Sequence, residues 1–266
     1  MLAALIFALA ACGGEPGGSG QKEASGRTIE HAMGETEVSD DPERVVVLDT
    51  EELDSAITLG IVPVGAVEAV PGEGLLSYLE GTEEIEKVGT IEQPNLEGIA
   101  ALDPDLILSS KLRHEDIYEE LSGIAPTVFA ERTGVTWKEN FDLHAEALNR
   151  TEEAELVESE YAGRIEEFQE AMGDRLEETE VSVVRFLPDQ VRLYQKGSFV
   201  GTVLEDAGLS RPESQRDEEE TFLEANREQI GDLNGDVMFV STYGPAEETP
   251  IEQFQSDPLW SGLEVV

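Results

Sequence analysis

Short apolar runs alternate with amphipathic stretches along most of this chain, and their two periods separate strands from helices. Val45-Val46-Val47-Leu48 is an unbroken apolar run of strand length, which predicts a strand buried on both faces. A helix is expected over about Glu51 to Leu59, stopped by Gly60 ahead of Ile61-Val62-Pro63-Val64. A helix beginning near Asn95 leads into Leu106-Ile107-Leu108, and another over His114 to Leu121 leads into Pro126-Thr127-Val128-Phe129. Strand–helix–strand in this order is the grammar of an α/β domain with a largely parallel sheet.

A second block resumes at Val181. Val181 to Leu187 and Val191 to Tyr194 read as strands, and Phe199 to Ala207 as a helix. Gly208-Leu209-Ser210-Arg211-Pro212 closes that helix much as Gly60-Ile61-Val62-Pro63 closes the first. Between the blocks, Val157, Tyr161, Ile165, Phe168, Met172 and Leu176 follow at steps of four, four, three, four and four. That is one helical stripe. A helix over Thr151 to Glu178 would reach about 40 Å at 1.5 Å per residue. An amphipathic helix on a single domain is the plainer alternative, but this length suits a rigid connection between two lobes.

The blocks also echo each other. The segment Asn95 to Asp105 recurs 131 residues later as Asn226 to Asp236, with Asn, Glu, Ile, Leu and Asp in register. Both Asn residues suit a helix N-cap. Glu97 and Glu228 then fall in the first turn, where a carboxylate gains about 0.3–1 kcal/mol from the helix dipole. The fold class expected is α/β, with two similar lobes, a long connecting helix and a ligand cleft between the lobes.

The one cysteine, Cys12, closes Leu9-Ala10-Ala11-Cys12 behind an apolar stretch, the pattern of a bacterial lipobox. Gly13 to Gly26 is rich in Gly, Ser, Pro and Glu and suits a tether. The organisation expected is a signal peptide over 1–11, a lipidated linker over 12–27 and a first lobe over 28–149. A connecting helix over 150–178 and a second lobe over 179–266 complete it. The location expected is extracytoplasmic, on the membrane through the lipid alone. Met1 runs straight into Leu2-Ala3-Ala4-Leu5 without the positive start of a signal peptide, so the beginning reads as clipped.

Charge narrows the partners. With 59 acidic against 17 basic residues the net charge is -42, which argues against nucleic acid and anionic headgroups. Such self-repulsion is relieved by salt, and a salt-rich habitat is expected. Pairs such as Glu152-Glu153 and Glu166-Glu167 read as a solvated shell. No G-x-S-x-G, H-E-x-x-H or G-x-x-x-x-G-K-[ST] occurs, so an enzyme is not the expectation. His31, His114 and His144 are scattered, and no metal or cofactor is expected beyond a bound ligand.

At this point a resemblance becomes specific. The chain is similar to the iron–siderophore substrate-binding lipoproteins of ABC importers, the class with a rigid helix between two lobes. The resemblance is carried by His31 to Val38, Pro42 to Leu48, Asn95 to Leu108, Tyr118 to Leu121, Ile124 to Val128, Asn226 to Val240 and Asp257-Pro258-Leu259-Trp260. It implies that one glutamate per lobe docks in arginine pockets of the two permease subunits, and the matching positions are Glu97 and Glu228. Members of the family continue past the Pro-Leu-Trp segment, so the end at Val266 also reads as clipped.

The implied ligand is a ferric siderophore, hydroxamate type favoured, with haem, cobalamin or ferric citrate as alternatives on the same fold. A surface lipoprotein enzyme is a more distant alternative. Ligands of open α/β sheets sit beyond the carboxyl ends of the strands. There the sequence offers Arg113, Arg185 and Arg192, whose guanidinium forks suit anionic oxygens. Trp137, Tyr194 and Tyr243 are candidate cleft walls. A monomer working with permease subunits is expected.

Overall fold

Residues 26–265 are described in the computed structural model; Cys12, its apolar leader and most of the expected linker lie outside them. The described chain opens with an antiparallel hairpin of β1 (Gly26–His31) and β2 (Gly34–Ser39). Ile29 and Val38 bury one face of it, and the Ala32 amide donates to the Phe129 carbonyl at 3.0 Å.

The first lobe follows as β3 (Val45–Val47), α1 (Thr50–Thr58), β4 (Gly65–Glu68), β5 (Glu86–Thr90), β6 (Gln93–Pro94) and α2 (Leu96–Ala101). Next come β7 (Leu106–Ser110), α3 (Lys111–His114), α4 (Tyr118–Ser122) and β8 (Thr127–Ala130). The sheet runs β6-β5-β4-β3-β7-β8, parallel except for β6. Val45 and Val47 enter one apolar core, while Val46 and Leu48 enter the core on the other face. Cover on both sides is why β3 tolerates no polar position.

The helix expected over His114 to Leu121 is split into α3, a 3₁₀ turn over Glu115–Ile117, and α4. Buried His114 accounts for the break. Its Nδ1 lies 2.6 Å from Ser109 Oγ and its Nε2 lies 2.8 Å from the Ile91 carbonyl, which pins the residue against β7.

Helix α5 (Trp137–Leu148) packs on α1 and leads into α6 (Thr151–Met172). At 22 residues α6 is about 33 Å long. It stops short of Glu178 because Gly173, at φ 55° and ψ −135°, takes a backbone conformation that side chains forbid. A separate turn, α7 (Arg175–Glu178), follows. Val157, Tyr161, Ile165, Met172 and Leu176 are half-buried as the stripe requires, but Phe168 is exposed.

The second lobe contains β9 (Val181–Phe186), β10 (Val191–Tyr194), α8 (Phe199–Asp206), β11 (Phe222–Glu224), β12 (Val237–Thr242) and α9 (Ile251–Gln255). Its sheet runs β11-β10-β9-β12, with β9 and β12 parallel and the other pairings antiparallel. Val184, Phe186, Val191 and Leu193 supply its core with Ile230, Leu233, Phe254 and Trp260.

The sequence echo has a structural counterpart. The Asp105 carboxylate accepts from the Glu43 and Arg44 amides (2.8 and 2.9 Å), just before β3. Asp236 accepts from the Glu180 amide (2.7 Å), just before β9. Ile99 and Ile230 are both fully buried. Gly60 and Gly208 both take positive φ, 79° and 75°, and end α1 and α8. One difference stands out: after Asn226 the chain forms a 3₁₀ helix (Arg227–Leu233) rather than an α-helix. Asp105→Ala is expected to cost about 1–2 kcal/mol, since two amides lose a charged acceptor. A urea midpoint shift with an unchanged slope would show it.

Candidate ligand-binding site

In a parallel sheet the carboxyl ends of the strands share one edge, and the loops leaving that edge are free to build a site. In the first lobe Asp49 leaves β3, Ala69 leaves β4 and Arg113 leaves β7. In the second lobe Arg185 lies near the end of β9 and Tyr243 follows β12. Arg192 opens antiparallel β10 directly opposite Arg185. The two edges meet where the Tyr243 hydroxyl donates to the Ala69 carbonyl at 3.1 Å.

Arg113 is half-exposed, and its Nε donates to Oδ2 of buried Asp49 at 2.7 Å. Burial works against its charge, but Asp49 more than compensates and holds the guanidinium above its ordinary range. Under this pair, Glu51 accepts from Asn140 Nδ2 at 2.6 Å, yet burial still raises its carboxyl. Glu52 is 1 % exposed and neither carboxylate oxygen has a hydrogen-bond partner. Burial, with Asp49 and Glu51 adding to it, pushes Glu52 well above the usual carboxylate range.

Arg185 lies with its guanidinium carbon 4.9 Å from the Tyr243 ring centroid, and its buried Nε has no hydrogen-bond partner. Arg192 stacks on Phe222 at 4.1 Å, with its Nε donating to Gln190 Oε1 at 3.0 Å. Among the described residues neither arginine forms an ion pair. In a chain with 59 carboxylates, two adjacent cations left without one are a specific arrangement. It leaves guanidinium donors for an anionic guest.

The other sequence candidates are placed elsewhere. Trp137 sits in the joint of α5, α6 and α8, with its Nε1 donating to Thr202 Oγ1 at 2.9 Å. Its ring meets Tyr161 and Phe199 edge-on, at 5.4 and 5.6 Å. Beside it Asp206 binds Lys138 (2.6 Å) and Tyr161 (2.7 Å). Tyr194 lies at the far end of β10 from Arg192, with its ring near Phe222. Glu97 and Glu228 are both exposed in a first helical turn, after caps by Asn95 and Asn226. The three histidines serve local bonds: His31 to Thr36, His114 to Ser109 and Ile91, His144 to Ser55. Among the described residues no group of three or more His, Cys, Asp or Glu could hold a metal ion. A concavity of about 280 Å³ in the second lobe is lined by Glu180, Glu213, Asp232 and Asp236, and Arg216 pairs with Glu180 at 2.8 Å.

Asp49 was not among the sequence candidates. Its signal was its place directly behind the β3 run, hidden among many surface acids. Ala69 offered no signal at all, because it contributes only a carbonyl.

Comparison with known proteins agrees with this architecture. The chain is 37 % identical over 275 residues to the "Probable siderophore-binding lipoprotein YfiY" of Bacillus subtilis, covering 98 % of this chain and 84 % of that protein. It is 30 % identical to the Fe(3+)-citrate-binding protein YfmC of the same organism, covering 100 % and 84 %. The crystal structure of Staphylococcus aureus SirA with staphyloferrin B superposes with a TM-score of 0.81 at 33 % identity, covering 90 % and 86 %. A family model described as periplasmic binding protein matches residues 45–266, and the chain belongs to that family.

Proposed function

We propose that this protein is the extracytoplasmic receptor of an ABC importer. It captures a ferric chelate between the two carboxyl edges and passes it to a permease without chemical turnover. The observation that carries the reading is the set Arg113, Arg185 and Arg192 at those edges, two of them without a carboxylate partner in so acidic a chain. Such forks match carboxylate oxygens better than the largely iron-bound oxygens of a hydroxamate. The names of the relatives, which include ferric citrate binding, support the same class. A ferric chelate rich in carboxylates is therefore the favoured cargo, ahead of a trihydroxamate. Tyr243 stands beside Arg185 as the aromatic wall, while Trp137 and Tyr194 act away from the cargo.

Quenching of tryptophan fluorescence in high salt tests this, with ferric citrate, a ferric trihydroxamate, a ferric triscatecholate, haem and cobalamin as titrants. Saturable quenching by ferric citrate, weaker for iron-free citrate, is expected. Arg113→Ala should weaken it about 10- to 100-fold, the worth of a charged hydrogen bond. Saturation by haem or cobalamin alone would overturn the reading.

Anchoring at Cys12 and docking of Glu97 and Glu228 on permease subunits belong to the same proposal. Two exposed acids on different lobes fix an orientation even where each ion pair contributes only about 0–1 kcal/mol. The double variant Glu97→Lys/Glu228→Lys is expected to abolish iron-dependent growth while leaving chelate affinity unchanged. Normal growth of that variant would remove the docking role.

A further inference from the structure

Arg113 and Asp49 form an unequal pair. The Asp49 carboxylate is 3 % exposed, whereas the Arg113 side chain is 37 % exposed. Asp49 divides its two oxygens between two tasks. Oδ1 accepts from the Thr50 amide at 2.6 Å and from Thr50 Oγ1 at 3.2 Å, at the start of α1. Oδ2 accepts from Arg113 Nε at 2.7 Å. The carboxylate is thus anchored to the helix before it meets the guanidinium. The bond uses Nε alone, and among the described residues both Nη groups of Arg113 remain without a hydrogen-bond partner.

An unrestrained arginine has many rotamers, and holding one of them lowers the cost of binding. We propose that Asp49 is the positioning residue of the cleft, holding Arg113 through Nε so that its Nη pair faces the carboxylates of the chelate. This rests on the reading of the protein as a receptor for ferric carboxylate chelates. Asp49 also carries a charge that opposes an anionic guest, so position and charge predict opposite outcomes when it is replaced. Held geometry makes the Nε acceptor essential. Charge cancellation would make any neutral replacement bind more tightly.

The experiment is a double-mutant cycle on the full chain, with ferric citrate as the probe. Asp49→Ser keeps a helix-capping oxygen but is too short to reach Nε. Asp49→Ser is expected to weaken binding about tenfold, the scale of one re-freed long side chain. Asp49→Ser should change nothing further when Arg113 is already alanine. Equal or tighter binding by Asp49→Ser would overturn the positioning role alone, as would an undiminished loss in the Arg113→Ala background. Thermal melting of each variant without ligand separates a folding defect from lost positioning. Wild-type protein that fails to bind ferric citrate would overturn the carboxylate-chelate reading itself, and this inference with it.

Discussion

Arg211→Ala is expected to destabilise the second lobe by about 3–5 kcal/mol, a large part of a typical total of about 5–15. Arg211 is 2 % exposed and has no carboxylate partner among the described residues. Instead its Nε donates to the Val181 carbonyl at 2.8 Å, and one Nη donates to the Tyr194 carbonyl at 2.6 Å and to Gln215 Oε1 at 2.5 Å. It therefore ties the start of β9 to the end of β10. Burial without a counter-ion brings its pKa down to about 10. Alanine would take the guanidinium donor from the Val181 and Tyr194 carbonyls, with Gln215 Oε1 keeping the Val183 amide at 2.9 Å, and would leave a cavity the size of the side chain; those two costs add. Arg211→Lys supplies one donor centre where two nitrogens now serve three acceptors, so it should recover only part of the loss. Urea unfolding of the three proteins checks this, and a wild-type midpoint for Arg211→Ala would contradict it.

The second large effect concerns Glu52 and depends on pH. A carboxyl that is raised in the folded state stays protonated there after the unfolded chain has released its proton. Its favourable contribution is complete below the unfolded-state pKa and is lost as pH rises through the higher folded-state value. Within that window one extra bound proton makes stability fall by about 1.4 kcal/mol per pH unit. Glu52→Gln has nothing to release. Its stability relative to wild type is expected to grow steadily above pH 5 and level off once Glu52 is ionised. Glu51 shares the direction, while His144, brought down to about 4 by burial, changes stability the opposite way. Subtracting wild type from Glu52→Gln at each pH removes the His144 contribution and leaves that of Glu52 with its coupling to Glu51. A difference that stays constant from pH 5 to 9 would mean that Glu52 is ionised in the fold.

Trp137 follows β8, and its ring packs at a joint with α6 and α8 that no local pattern in the sequence reveals. That joint, with Asp206 held by Lys138, Tyr161 and Gln169, ties both lobes to the connecting helix. Tyr194 ends β10, and because β10 runs antiparallel to β9 it lies at the opposite end of the strand from Arg192, which pairs with Arg185.

The strands β3, β7, β9 and β10, the ends of α1 and α8, the caps before Glu97 and Glu228 and the repeat of Asp105 at Asp236 were all legible in the sequence. Each shows as a local pattern: a period, a glycine, a capping side chain or a repeated motif, although the amides that Asp105 and Asp236 bind lie 56 to 62 residues away. The interruption at Gly173, the split around His114 and the 3₁₀ form after Asn226 needed the tertiary structure. So did the partnership of Asp49 with Arg113, 64 residues apart, and of Tyr243 with Ala69, 174 apart. In a chain with 59 acids, nothing local tells that Asp49 is buried beneath a guanidinium. Burial and pairing arise only when distant strands share an edge, and these decide which charges remain for a ligand.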